Sequence, residues 1–184
     1  KAYPAVDIMM HTGDQADGIS RILSGRDDIA VSGRPLELPP RLEFLPLQDS
    51  PLQFLAPSGD CAVLDLLNRG DTRDVNFDWS AIPFIVPERG ITKVLLDEWF
   101  RSQSIRPNIY AQVAGHEAIV AMVGLGLGVG VAPELVVDAI GMTDKVSYMP
   151  VALELPPLSI GLCGLKQRLE SPLVRSLWDV AGET

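Results

Sequence analysis

The sequence predicts an α/β fold in which strands alternate with helices. Three stretches carry this pattern: residues 6–32, residues 79–100 and residues 108–131. Each contains a strand-like run, either alternating or continuously apolar, and a run of apolar residues at helical spacing. Alternation of this kind is typical of α/β proteins, in which helices cover the faces of a largely parallel sheet. We therefore expect sheets flanked by helices.

The first stretch predicts a strand, a helix and a second strand. Val6, Ile8 and Met10 alternate with Asp7 and Met9, which predicts a strand. Asp14 is a candidate N-cap for a helix over 16–23. Asp28–Ser32 then predicts a second strand, so we expect a βαβ unit with parallel strands. Ligands of open α/β sheets bind beyond the carboxyl ends of such strands. By position, the candidate binding residues here are Thr12, Gly13, Asp14, Ser32 and Gly33.

The next part of the chain predicts short elements separated by loops. Prolines interrupt residues 34–46, and Phe44–Leu47 and Leu52–Ala56 are candidate strands. Pro57-Ser58-Gly59 is a turn signal and a candidate boundary between two lobes. Residues 61–68 are consistent with a helix.

The second stretch predicts a strand, a loop and a helix. Trp79–Val86 leads into the strand, and Thr92 is a candidate N-cap for a helix that extends to Phe100. The loop between them, with Arg89, Gly90 and Ile91, would lie at the ligand edge of a sheet. Arg89 could meet an anionic group, although an isolated arginine is more often a solvated surface charge.

The third stretch places Gly115-His116-Glu117 between the predicted strand Asn108–Val113 and a helix. A helix start offers unpaired N–H groups and partial positive charge, so this position is suited to an anion. His116 could add a donor, or could only cap or pack. The helix is followed by a buried strand over Leu127–Val131, and Pro133 suits the first turn of another helix.

Glycines at 124, 126, 128 and 130 do not predict a nucleotide site. A dinucleotide fingerprint requires a strand, then G-x-G-x-x-G, then a helix, and here the order is reversed. Close packing of helix on strand explains these glycines better. Later in the chain, Val146–Val151 and Leu158–Leu165 are candidate strands, and Ser171-Pro172 opens a final amphipathic helix.

Composition limits the function classes. The net charge of −9 argues against direct contact with nucleic-acid phosphates. No G-x-S-x-G, CxxC or H-E-x-x-H motif occurs, so we expect no enzyme, no cofactor and no metal site. No run of 18 uncharged apolar residues is present, and no signal peptide is visible, so we expect no membrane span. Cys61 and Cys163 are consistent with free buried thiols or with one disulfide.

Several motifs together resemble the effector-binding domain of LysR-type transcriptional regulators. They are Gly33-Arg34-Pro35, Trp79–Ile85 with Trp99-Phe100, and Gly115–Val123 followed by Gly124–Pro133. The resemblance covers nearly the whole chain. The segments Trp79–Ile85 and Gly115–Ala118 resemble more narrowly the activator of the ketol-acid reductoisomerase gene of isoleucine–valine synthesis.

The resemblance implies two Rossmann-like lobes joined by two crossing strands, as in type 2 periplasmic binding proteins. Lobe I would comprise residues 1–57 and 166–184, and lobe II residues 58–165. Family domains begin with a strand and a helix before the position of Lys1, so lobe I would lack both. An exposed sheet edge would then be expected in lobe I.

The family binds its inducer between the lobes, and the resemblance implies an acetohydroxy acid, 2-acetolactate or 2-aceto-2-hydroxybutyrate. The expected ligand-binding residues are Thr12, Gly13, Asp14, Ser32, Gly33, Arg89, Gly90, Ile91, Gly115, His116 and Glu117. Asp14 and Glu117 would repel a carboxylate, so we expect them to cap backbone groups or to bind the inducer's hydroxyl.

The resemblance also implies the partners. Helices at Asp14–Ser24 and Thr92–Gln103 would pair lobe I of one chain with lobe II of another in an antiparallel dimer, with a tetramer at full length. DNA would be bound only by an N-terminal helix-turn-helix outside this sequence, in the cytoplasm. A periplasmic solute-binding protein for a small organic anion would share the fold, and an export signal would distinguish it.

Overall fold

The computed structural model describes residues 6–13 and 15–183. In these residues the strands form two separate sheets, flanked by α-helices. The helices are α1 (Gln15–Leu23), α2 (Ala62–Leu67), α3 (Ile91–Ser102), α4 (His116–Gly124), α5 (Glu134–Ala139) and α6 (Pro172–Gly182). The strands are β1 (Ile29–Gly33), β2 (Leu42–Ser50), β3 (Leu52–Pro57), β4 (Pro83–Pro87), β5 (Asn108–Val113), β6 (Val129–Pro133), β7 (Val146–Tyr148) and β8 (Leu158–Leu165).

The smaller sheet is antiparallel and has the strand order β1-β8-β2. Successive residues of the central strand β8 point to opposite faces. Cys163 packs with Ile22 of α1 on one face, and Leu162 packs with Trp178 of α6 on the other. This sheet is therefore covered by α1 on one side and by α6 on the other.

The larger sheet has the strand order β5-β4-β6-β3-β7. β4 is parallel to both β5 and β6, whereas β3 is antiparallel to β6 and β7. Phe84, Ile85 and Val86 in β4 are each at most 1% exposed. Phe84 and Val86 contribute to the core under α3, and Ile85 to the core under α4. A strand buried on both faces matches the continuous apolar run in the sequence.

The chain passes between the sheets at two places, and both crossing segments form hydrogen bonds with helices that flank the larger sheet. At the first, Glu134 N donates to Pro51 O (2.9 Å) and Leu135 N donates to Ser50 Oγ (3.2 Å). These bonds cap the start of α5, whose N-cap Pro133 supplies no side-chain acceptor. At the second, residues 149–157, Trp99 Nε1 donates to Leu153 O (2.7 Å).

These crossings differ from the lobe boundaries that the resemblance implies. β3 lies in the larger sheet, although residues 1–57 are expected in lobe I. β8 lies in the smaller sheet, although residues 58–165 are expected in lobe II. The assignment of residues to lobes stays a prediction.

The predicted βαβ unit at the start of the chain is wrong. Residues 6–13 form no strand, and β1 pairs with β8 in the antiparallel sense. Ile8, Met9 and Met10 are 68%, 83% and 82% exposed. An alternating apolar pattern forms a strand only when a neighbouring strand and a covering layer bury one face. In the described part of the chain, residues 6–10 have neither a neighbouring strand nor a covering layer.

Cys61 and Cys163 are free, and Cys163 is buried, so the disulfide alternative is wrong. Burial raises the pKa of the Cys163 thiol, which keeps it protonated and unreactive. The predicted N-cap Asp14 lies outside the described residues.

Candidate functional site

Two helices of the larger sheet begin side by side at one edge. β4 and β5 are parallel neighbours whose last residues, Pro87 and Val113, are paired. Glu88 N extends the ladder by donating to Val113 O (3.0 Å). α3 follows β4, and α4 follows β5, after short loops. We call Gly90–Thr92 and Gly115–Glu117 the paired helix starts.

Both helices have glycine as their N-cap. Gly90 has φ +93° and Gly115 has φ +83°, a region that residues with a Cβ rarely adopt. A Cβ on Gly115 would also lie 3.1 Å from Glu117 Oε2. Neither glycine provides a side-chain acceptor for the first N–H groups. The paired helix starts therefore combine backbone donors with the positive ends of two helix dipoles.

His116 and Thr92 join the two helix starts. His116 Nε2 lies 2.9 Å from Thr92 Oγ1, and Thr92 is 2% exposed. The prediction that Thr92 is the N-cap of α3 is wrong, because Gly90 occupies that position and the helix begins at Ile91. Thr92 therefore lies in the first turn and contacts α4. In the sequence, Thr92 lies near the start of a helix that follows a strand and a loop. That position is the signal that could have suggested a role for Thr92 in the binding site.

His116 is electrically neutral at neutral pH in this environment. Burial lowers its pKa from the ordinary value of 6.5, and the nearby Glu117 carboxylate only partly opposes this. The positive end of α4 also disfavours a positive charge at its first residue. His116 can thus offer a hydrogen bond to a ligand, while the positive field for an anion comes from the helix starts.

The lowered pKa of His116 predicts a pH dependence of stability. Between the lowered folded-state pKa and 6.5, the unfolded chain binds more protons than the folded chain, so the free energy of unfolding increases with pH. We expect His116→Gln to flatten this slope in urea unfolding measured at several pH values between about 5 and 7.5. His11→Gln is the control, because His11 is exposed. Equal slopes for wild type and His116→Gln would contradict the expected burial.

The structure brings together five of the predicted site residues, and the others that it describes lie outside the paired helix starts. The five are Gly90, Ile91, Gly115, His116 and Glu117. Arg89 is exposed in the preceding loop. Thr12 and Gly13 are exposed ahead of α1, and Ser32 and Gly33 end β1 in the smaller sheet. Asp14 lies outside the described residues.

Ser32 has an unusual environment. It is 6% exposed, and its hydroxyl has no hydrogen-bond partner among the described residues. An unpaired buried hydroxyl costs about 1–3 kcal/mol, so a partner from a ligand would stabilise it. Gly33 next to it is also buried, and a Cβ there would lie 2.8 Å from Leu158 Cδ1. A larger side chain at this end of β1 would require the Leu158 side chain to move.

Two surface grooves lie away from the paired helix starts. One is lined by Asn68, Thr72 and Tyr148, and another by Arg69 and Phe77, and neither includes a predicted site residue. Within residues 6–13 and 15–183, no cluster of three or more histidine, cysteine, aspartate or glutamate side chains could hold a metal ion. None of the described helices has the length and apolar character needed to cross a bilayer.

All 184 residues match the family described as the LysR substrate-binding domain. The chain belongs to this family. It is 37% identical over 177 residues to the HTH-type transcriptional activator IlvY of Haemophilus influenzae, covering 96% of this chain and 59% of that relative. It is 35% identical over 181 residues to the HTH-type transcriptional regulator IlvY of Escherichia coli, covering 97% and 59% respectively.

Solved structures show the same fold. The effector-binding domain of QuiR in complex with shikimate aligns with a TM-score of 0.76 and 21% identity, covering 100% of this chain and 83% of that one. The regulatory domain of Synechocystis CcmR in complex with 2-PG aligns with a TM-score of 0.78 and 18% identity, covering 99% and 85%. The predicted fold class, two α/β lobes like those of type 2 periplasmic binding proteins, is confirmed.

The relatives agree with the prediction that the chain is not an enzyme, since they are named as transcriptional regulators. The chain spans 59% of the length of these relatives. It corresponds to the LysR substrate-binding domain.

Proposed function

We propose that this chain is the inducer-binding domain of a LysR-type transcription activator that senses a small hydroxy-keto acid. The observation that carries the proposal is the pair of glycine-capped helix starts at one sheet edge, with a neutral histidine between them. Backbone N–H groups and helix dipoles suit a carboxylate. The identity of 35–37% to IlvY regulators supports 2-acetolactate or 2-aceto-2-hydroxybutyrate as the inducer.

Each functional group of an acetohydroxy acid has a proposed partner. The carboxylate binds the N–H groups at Gly90–Ile91 and Gly115–Glu117, with Arg89 at the rim. The ketone or the hydroxyl binds His116. Ser32 and Gly33 contact the inducer from the smaller sheet, together with Thr12, Gly13 and Asp14. The unpaired hydroxyl of Ser32 supports its place in this set.

The inducer would act by shifting a conformational equilibrium. A ligand that touches both lobes binds the closed arrangement more tightly than the open one, and only this difference in affinity can drive closure. In the proposed oligomer, α1 of one chain pairs with α3 of another in an antiparallel dimer, and tetramers form at full length. Closure would then re-space helix-turn-helix domains on DNA in the cytoplasm. Sedimentation that shows only monomer at high concentration would contradict pairing by this chain.

Calorimetry with 2-acetolactate tests the proposed site. We expect binding by wild type and an affinity about three- to tenfold lower for His116→Ala, since a neutral hydrogen bond contributes about 0.5–1.5 kcal/mol. His11→Ala is the matched control, because it removes the other histidine at an exposed position before α1. Equal affinity of wild type and His116→Ala would remove His116 from the site. Failure of wild type to bind either acetohydroxy acid would reject the proposed inducer class.

A further inference from the structure

The side-chain hydroxyl of Thr92 has only one hydrogen-bond partner in the part of the chain that the structure describes. That partner is His116 Nε2, 2.9 Å from Thr92 Oγ1. Because Thr92 is 2% exposed, water has almost no access to the residue. The threonine hydroxyl therefore depends on the imidazole for its hydrogen bond.

The hydrogen bond between His116 Nε2 and Thr92 Oγ1 can form with either atom as the donor. The two arrangements differ in whether the hydroxyl proton of Thr92 has an acceptor. If Nε2 carries the ring proton, it donates to Oγ1, and the hydroxyl proton of Thr92 has no acceptor among the described residues. A buried donor without an acceptor costs about 1–3 kcal/mol. If Nε2 carries no proton, the hydroxyl donates to it, and this cost is avoided. A neutral imidazole then bears its proton on Nδ1.

We propose that Thr92 donates to His116 Nε2 and thereby holds the neutral imidazole in the tautomer that is protonated on Nδ1. The hydrogen bond made by one ring nitrogen fixes the state of the other, which is how partner groups orient histidines elsewhere. Thr92 is thus a positioning residue that acts through His116. Its hydroxyl also ties the first turn of α3 to the start of α4.

The consequence for recognition rests on the proposed function. Nδ1–H of His116 has no hydrogen-bond acceptor among the described residues, so it is free to donate to a ligand. A ligand atom that meets it must be an acceptor, such as a ketone or carboxylate oxygen. The site would then select acids that carry a second acceptor oxygen near the carboxylate, and Thr92 would set this preference without touching the ligand.

Nitrogen-15 NMR of the imidazole rings at neutral pH tests the tautomer directly. The chain has two histidines, so spectra of wild type and His11→Gln assign the His116 signals. We expect protonated Nδ1 and unprotonated Nε2 in wild type and in Thr92→Ser, which keeps the hydroxyl. Thr92→Val keeps the shape and lacks the hydroxyl, so the population should move towards protonated Nε2. Thr72→Val is the matched control, because Thr72 is another buried threonine, bonded to Pro150 O (2.6 Å).

Calorimetry with 2-acetolactate separates this inference from the proposed function. We expect Thr92→Val to bind about three- to tenfold more weakly than wild type, with Thr92→Ser and Thr72→Val near wild type. Protonated Nε2 in wild type, or an unchanged tautomer in Thr92→Val, would overturn the inference whatever the ligand does. If NMR shows the expected tautomers but calorimetry shows no binding of 2-acetolactate, the inference about Thr92 is supported and the proposed inducer is rejected.

Discussion

Replacing Trp99 with alanine should lower the free energy of unfolding by about 3–5 kcal/mol, the usual cost of deleting a large buried aromatic ring. Trp99 is 4% exposed, and its ring centroid lies 4.7 Å from that of Phe54, 5.5 Å from Trp79 and 5.6 Å from Phe100. Its indole N–H also donates a hydrogen bond to Leu153 O in the second crossing segment, residues 149–157. The substitution therefore opens a cavity in the core and releases a crossing segment.

Urea unfolding of the purified chain measures this loss. Trp99→Phe should cost less than Trp99→Ala, because the phenyl ring keeps part of the packing, although it loses the hydrogen bond to Leu153 O. Leu173→Ala is the surface control: Leu173 is 58% exposed, and its truncation should change stability by less than about 0.5 kcal/mol. A Trp99→Ala protein within about 1 kcal/mol of wild type would contradict the assigned packing.

Gly161→Ala is expected to destabilise the smaller sheet by about 3 kcal/mol or more, the upper range for overpacking. Gly161 lies in β8, between Ser32 of β1 and Pro46 of β2. An added Cβ would overlap the backbone oxygen of Leu45 and lie 2.8 Å from Phe44 Cζ. Backbone of the neighbouring strand cannot move aside as the end of a flexible side chain can, so the β2–β8 ladder must distort.

Gly59→Ala is the control for this prediction. A Cβ at Gly59 would meet nothing within 4 Å, and Gly59 is not among the glycines with positive φ. Its replacement should leave the midpoint of thermal unfolding within a few degrees of wild type. A Gly161→Ala protein as stable as Gly59→Ala would show that β2 does not approach β8 as closely as the structure has it.

Elements with strong local patterns were predicted well. Asn108–Val113 was predicted as a strand and is β5, and the helix after Gly115 is α4. Gly90 and Gly115 were predicted at the ligand edge because strand, loop and helix follow one another in the sequence. Parallel pairing of β4 with β5 then brings these positions together, as the rule for parallel strands requires.

Elements that depend on a distant partner were not predicted. The run over 6–10 predicts a strand, yet these residues pair with no described strand. Thr92 was predicted to cap its own helix, and only the contact with His116 shows its role. Ser50 likewise gave no sequence signal for its bond to the start of α5.

The sequence by itself determined the alternation of strands and helices, the helix start at Gly115–Glu117 and, through its motifs, the family. These features depend on residues close together in the chain, whose spacing and turn chemistry are visible in the sequence. Only the tertiary structure decided which strands pair, where the chain changes sheet and which polar groups share a proton. Such choices depend on burial and contact between segments far apart in the sequence, as with Thr92 and His116, and local patterns do not encode them.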